Sequence, residues 1–133
     1  IAAGRVANGA DAALAMAPGA DLVNVARAFP FSLGCIQALR CHTNECPTGV
    51  ATQSAWRQRG LVLEEKRERV SNFALALQDD LMTVTRSVGL HSPAELRRQH
   101  VEIVVGVGRR LSAAALHPYP IEAVEPYLWP VAA

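Results

Sequence analysis

Apolar positions open the chain in short runs and settle into a long 3.6-residue period at its middle. Ile1-Ala2-Ala3 is an apolar run closed by Gly4, and Asp21-Leu22-Val23-Asn24-Val25 is a second, rich in β-branched residues and Leu. Both read as short buried strands. Between them Asn8 or Asp11 can cap an Ala-rich helix that runs through Leu14 and Met16 and stops at Pro18-Gly19. Strand, helix and strand with a helix of about ten residues predict a parallel βαβ unit. Such units build doubly wound sheets and (β/α) barrels. Two strands complete neither, so partner strands are expected outside these residues. The chain opens mid-pattern at Ile1 and is expected to be part of a longer product.

The clearest helix is predicted over residues 63–88. Val70, Phe73, Ala74, Leu77, Leu81, Val84 and Val88 form one apolar stripe, and Gly89 suits the position just past the helix end. The charged residues of this stretch, Asp79 and Asp80 among them, read as a solvated face. Ser92-Pro93-Ala94-Glu95 has the capping-box pattern of a further helix. Residues 28–60 form a segment of another kind, with loop composition over Cys41–Gly49 and a polar, basic stretch from Thr52 to Arg59. Ile103-Val104-Val105-Gly106-Val107-Gly108 reads as a strand. Its two glycines lack the third glycine and the following helix of a dinucleotide fingerprint. Pro118, Pro120, Pro126 and Pro130, with Tyr119, Tyr127 and Trp129, suggest an irregular docking tail.

Composition narrows the class. Half of the 133 residues are hydrophobic and 19% are charged, which excludes a disordered chain. A net charge of +1 gives no basic footprint for nucleic acid, and 5% aromatic residues give no stacking platform. No apolar run reaches the roughly 20 residues that span a bilayer. The first residues lack the basic and apolar regions of a signal peptide. No nucleic-acid or membrane partner is therefore expected, and the expected location is cytoplasmic.

Three cysteines, Cys35, Cys41 and Cys46, lie within twelve positions. An odd, close set does not read as a disulfide framework. Unrelated small core residues are one reading, since free Cys is often buried. A metal site is another. The spacing C-x5-C-x4-C lacks the tight knuckle of a structural zinc site and supplies only three sulfurs, so zinc needs a fourth ligand, His42 or one from elsewhere, and the adjacent Cys41 and His42 rarely both reach one ion without strain. Three soft thiolates suit an iron–sulfur cube lacking one iron, and Pro47 directly follows Cys46, as a proline follows a cluster cysteine in ferredoxin runs. His42 reads as a hydrogen-bonding neighbour that steadies the loop, and Asn44 as the residue that turns it in a left-handed conformation.

The stretch GCIQALRCHTNECPTGVATQ, Gly34 to Gln53, closely resembles the cluster segment of the glutamate synthase large-chain family, nearest to its FMN-binding, archaeal-type members. The stretches before it resemble the last strands of that family's barrel, and RGLVLEEKRERVSNFALAL resembles its next helix. The resemblance runs from Ile1 to about Gly89 and more faintly to Leu96. It implies an α/β fold, the last strands of an FMN-binding (β/α)8 TIM barrel over residues 1–34. A 3Fe-4S cluster loop would follow over 35–60, C-terminal helices over 61–100 and an irregular tail over 101–133. It implies cluster ligation by Cys35, Cys41 and Cys46. FMN phosphate contacts would come from Gly4 and Arg5 after the seventh strand and from Ala26 and Arg27 after the eighth, the usual phosphate face of such barrels. Arg27 could equally serve a surface salt bridge.

The activity implied is reductive amination of 2-oxoglutarate to L-glutamate, with free or glutamine-derived ammonia. Electrons would come from an NADPH-oxidising subunit or ferredoxin, through the cluster to FMN. Ala3 stands where many relatives have Ser, and Pro18 where a helix former is usual. Residues contacting the flavin ring and 2-oxoglutarate would lie on the remainder of the barrel, so no catalytic residue is assigned here. A zinc- or cluster-stabilised structural module, or an FMN oxidoreductase of the same fold with another substrate, are the competing readings.

Overall fold

The computed structural model describes residues 1–120. The element order begins as the pattern predicts. Strand β1 (Ala2–Ala3) leads to helix α1 (Gly9–Met16) and strand β2 (Val23–Asn24), and the strands pair in parallel with Ala2 opposite Val23. Asn8 caps α1, its side chain accepting from the Asp11 backbone N–H at 2.8 Å. The helix ends before Pro18, which cannot continue it. The second strand is shorter than the apolar run Asp21–Val25. The architecture is mixed α/β with two two-stranded sheets, and no barrel closes among the described residues.

Three further helices follow: α2 (Ala28–Ser32), α3 (Ala55–Gln58) and α4 (Leu63–Ser87). Helix α2 was not foreseen. Its Pro30 sits in the first turn, where a missing N–H costs nothing. Helix α4 is the scaffold of the chain. Its stripe is half-buried from Val70 to Val84, and it stops in a Schellman turn, with Gly89 at φ +81° and the Leu90 N–H bonded to Thr85 O. Thr85 is fully buried and satisfied, its hydroxyl donating to Leu81 O at 2.8 Å.

Helix α1 lies on the C-terminal half of α4 at backbone-to-backbone distance. A Cβ on Gly9 would stand 2.1 Å from Leu81 N and 2.4 Å from the carbonyl carbon of Asp80. The Asp80 carboxylate accepts the Gly9 N–H at 2.6 Å. It thereby satisfies one of the free donors at the start of α1, where negative charge is favoured. Asp80 is thus a cap for another helix rather than only part of a solvated face, a role that periodicity along α4 alone does not reveal. Ala13, Ala17 and Leu96 form the buried cluster beneath, with Met16, Leu81, Val84, Leu90 and Val101 packed around it. Phe29 of α2 meets Phe73 of α4 edge to face, with ring centroids 5.1 Å apart.

Beyond Gly89 two expectations are corrected. The capping pattern at Ser92 starts one 3-10 turn, Pro93–Glu95, and a second follows at Arg98–His100. Leu96 takes an extended conformation to reach the core, which ends the turn. The segment expected as an irregular tail contains an antiparallel hairpin, β3 (Glu102–Gly106) with β4 (Arg109–Ser112), and a short helix α5 (Ala113–Leu116). Gly108, at φ +67°, makes the hairpin turn, so the glycine pair closes a ribbon and opens no nucleotide loop. Tyr119 donates to Pro18 O at 2.8 Å and lies 3.6 Å beneath the Arg98 guanidinium, tying this region to the end of α1. Pro126, Tyr127, Trp129 and Pro130 lie outside the described residues. No helix among the described residues is long and apolar enough to cross a membrane.

The α1–α4 contact makes a direct prediction. Gly9→Ala destabilises by ~1–3 kcal/mol through overpacking against backbone. Asp80→Ala costs ~1–2 kcal/mol through the lost charged hydrogen bond, while Asp79→Ala stays within ~0.5 kcal/mol. Chemical denaturation of the full-length variants measures all three.

Candidate cofactor pocket and cysteine loop

Because β1 and β2 run parallel, their C-terminal ends open on one side. A cavity of about 610 Å³ lies there, lined by Ala3 to Ala7 from the first strand end and by Asn24, Ala26, Arg27, Ala28 and Phe31 from the second. All four residues expected to hold phosphate, Gly4, Arg5, Ala26 and Arg27, line this one cavity. Gly4 has φ +123°, a conformation L side chains rarely adopt, and a Cβ there would meet nothing within 4 Å. The glycine is required by the backbone turn, and its open side lets a ligand approach the main chain. Arg5 follows at φ +55°.

The lining contains two arginines and no acidic residue. Among the described residues neither Arg5 nor Arg27 forms an ion pair. Both guanidiniums are exposed and free to meet an anion. Asn24 and Phe31 were missed as pocket residues. The polar Asn24 in an otherwise apolar strand was the available signal. Phe31 gave none, because only the fold of α2 turns it toward β1.

The chain leaves α2 through a second Schellman turn. Gly34 takes φ +104°, the Gly34 N–H bonds Phe31 O at 2.9 Å, and the Cys35 N–H bonds Pro30 O at 3.0 Å. Cys35 is therefore placed by helix termination. Its sulfur accepts the Gln37 N–H at 3.4 Å. Cys46 is buried at 7% exposure, and its sulfur lies 3.4 Å from the Thr48 hydroxyl. That hydroxyl, then the backbone N–H of Ala51, pulls the Cys46 thiol down from 9.0 to about 7. Burial opposes the shift, and the N–H groups of Thr48 and Val50 add to it. The turn that aims these donors needs Gly49, at φ +79°, where a Cβ would fall 2.5 Å from Arg57 O.

Asn44 adopts the expected left-handed conformation, φ +62°. Its side-chain oxygen reaches forward rather than to its own loop, accepting from Gln53 N–H at 2.5 Å and from the Thr52 hydroxyl at 3.0 Å. Its carbonyl accepts from Arg57 at 3.1 Å. The loop between Cys41 and Cys46 is thereby held against α3. His42 is exposed, and this work of steadying the loop falls to Asn44.

The three thiols are unpaired, with Cys46 buried, Cys35 half-buried and Cys41 exposed. Among the described residues no three His, Cys, Asp or Glu side chains are gathered at one point. The donor chemistry nevertheless suits a thiophilic group. The sulfurs are soft, and two of the three already receive N–H bonds of the kind that tune a sulfur-ligated centre.

A model of the conserved region in glutamate synthase matches residues 1–91. The chain is 44% identical over 100 residues to the glutamate synthase large subunit-like protein YerD of Bacillus subtilis, covering 75% of this chain and 19% of that one. It is 30% identical over 122 residues to the archaeal-type glutamate synthase [NADPH] of Thermotoga maritima, covering 92% and 22%. With the ferredoxin-dependent glutamate synthase of Pyropia yezoensis it shares 33% identity over 104 residues, covering 73% and 6%. The chain spans about a fifth of the length of the first two relatives. No solved structure matches it significantly. The matched stretch contains β1, α1, β2, the cysteine loop and all of α4, and the chain belongs to the glutamate synthase family.

Proposed function

We propose that the pocket beyond β1 and β2 anchors the phosphate of FMN and that Cys35, Cys41 and Cys46 hold a 3Fe-4S cluster. Both would serve a glutamate synthase-like oxidoreductase that reductively aminates 2-oxoglutarate to L-glutamate. The observation that carries this reading is the acid-free cavity with two unpaired arginines at the ends of adjacent parallel strands. Parallel strand ends of a barrel are where phosphate groups bind, above all after the last two strands. On this reading β1 and β2 are the last two strands of a (β/α)8 barrel. Exposed Ile1 and Leu22, at 88% and 63%, would then pack against its remainder. Flavin supplies hydride chemistry and the cluster single-electron chemistry when bound.

The residues present have separable tasks. Gly4 brings main-chain N–H groups close to phosphate, and Arg5 and Arg27 neutralise its charge while Ala26 keeps the wall low. Asn24 adds an amide donor from the strand end. Cys46 is substantially thiolate at neutral pH and is ready to ligate without waiting for a base. The electron donor is an NADPH-oxidising unit or a ferredoxin, as relatives of both designations exist. Ammonia is free or glutamine-derived, and the expected location is the cytoplasm.

Arg27→Ala in the full-length protein should weaken FMN binding ~10-fold or more, as expected for a charge-assisted hydrogen bond of ~1.5–3 kcal/mol. Fluorescence titration of the deflavinated protein reads it, and unchanged affinity counts against the pocket assignment. Anaerobically purified protein should contain about three irons and matching sulfide per chain. Cys41→Ser should abolish both that content and reduction of the flavin by the external donor. One zinc and no visible absorption would instead establish the structural-module reading.

The thiolate can be followed in metal-free protein carrying Cys35→Ser and Cys41→Ser. Cys46 should titrate near pH 7 in ultraviolet difference spectra, and Thr48→Val should move it toward 9.0. The folded value lies below the ordinary one. Its stabilisation is therefore fully present above about pH 9 and is lost as pH falls through about 7.

A further inference from the structure

Helix α4 places a cation where its own helix gives it no good partner. The Lys66 side chain is only 17% exposed. Its nearest carboxylate oxygen, Glu65 Oε1, is 3.6 Å away on a side chain that is 59% exposed. That separation exceeds a good hydrogen bond, and adjacent residues on a helix do not face each other. The Lys66 stem is largely covered, while among the described residues its ammonium makes one loose ion pair with an exposed carboxylate, which leaves it able to serve a second anion.

The surroundings say where that anion belongs. Lys66 Nζ lies 3.8 Å from the point a Cβ of residue 34 would occupy, and Gly34 immediately precedes Cys35. Lys66 also lines a largely apolar cleft together with Leu33, Val50, Leu61 and Val70. Val50 is one of the residues whose backbone N–H bonds the Cys46 sulfur. The ammonium thus stands between the segments that carry two of the three cysteines, at the edge of a cleft whose lining is mostly apolar. Arg67 lines the same cleft but is exposed, so it is screened by solvent more than Lys66.

We propose that the Lys66 ammonium is the built-in counter-ion of the cluster held by Cys35, Cys41 and Cys46, and that it raises the cluster's reduction potential. This rests on the reading of the cysteines as cluster ligands. Three thiolates and sulfide leave such a centre negative, and reduction adds one further electron. A fixed cation beside it favours the reduced form, since net charge and burial are among the terms that set the potential. Lys66 is a positioning and tuning residue, not a ligand.

The test is a redox titration of the full-length, cluster-loaded protein followed by electron paramagnetic resonance. Lys66→Met and Lys66→Gln should shift the cluster potential to more negative values, and Lys66→Arg should hold it near the wild type. Iron and sulfide content should stay the same in all four. Equal potentials in the wild type and both neutral variants would overturn the counter-ion role while leaving the cluster reading intact. Wild-type protein without iron and sulfide would overturn the cluster reading and this inference with it. If neither neutral variant folds, Glu65→Gln decides. Freed from Glu65, Lys66 should turn fully to the cluster and raise the potential more than Glu64→Gln does, and equal shifts would overturn the proposal.

Discussion

The geometry of the described residues depends on the close approach of α1 to α4. Gly9 sets the first turn of α1 directly against the backbone of α4 at Asp80 and Leu81. Side chains normally hold helices about 8–10 Å apart. Here one helix start is drawn in until only hydrogen fits between, and the Asp80 carboxylate caps it. The βαβ unit is therefore locked to a particular turn of α4. Everything that α4 positions elsewhere along its length inherits that register.

What α4 positions is the route from pocket to cysteines. Lys66, Phe73 and Asp80 recur every seven residues, which returns them to one face with a drift of only about 20° per step. Asp80 holds α1, Phe73 holds α2 through Phe29, and Lys66 stands over Gly34 where α2 passes into the cysteine loop. Three successive stations on one rigid helix thus space the strand ends, the helix after them and the first cysteine. The buried apolar side chains among the described residues are small, four Ala with one Leu, one Val and one Cys, beside the buried Thr85. Such a core lets elements approach closely but buries little apolar area, in keeping with a surface that still exposes Ile1, Leu22, Leu63 and Trp56.

Legibility differed by kind of signal. The βαβ opening, a cap at Asn8 or Asp11, the end of α1 before Pro18, the α4 stripe and Gly89 were all readable, because each is decided within a few residues by φ, by capping or by period; the structure chose Asn8. The gathering of Gly4, Arg5, Ala26 and Arg27 around one cavity was expected only from the family resemblance, and the parallel register of β1 and β2 supplies its physical cause. The hairpin over residues 102–112 was half visible, since Ile103–Val105 reads as a strand. Its partner, Arg109–Ser112, does not look like one, being polar and exposed. Helix α2 was hidden because its five residues include a proline and no period can be recognised in so short a span.

Local rules written into the chain therefore decided where helices start and stop, which glycines must turn, and that three soft sulfurs lie close in sequence. Tertiary structure alone decided that Asp80 caps a helix 71 residues away, that Asn44 ties its loop to Thr52, Gln53 and Arg57, and that Lys66 is withdrawn from solvent beside Gly34. A residue's conformation depends on its neighbours in the chain. The partner of a charge or a hydrogen-bonding group depends on which backbone segments packing brings within about 3 Å, and that distance is fixed only once Gly9 has let α1 close on α4.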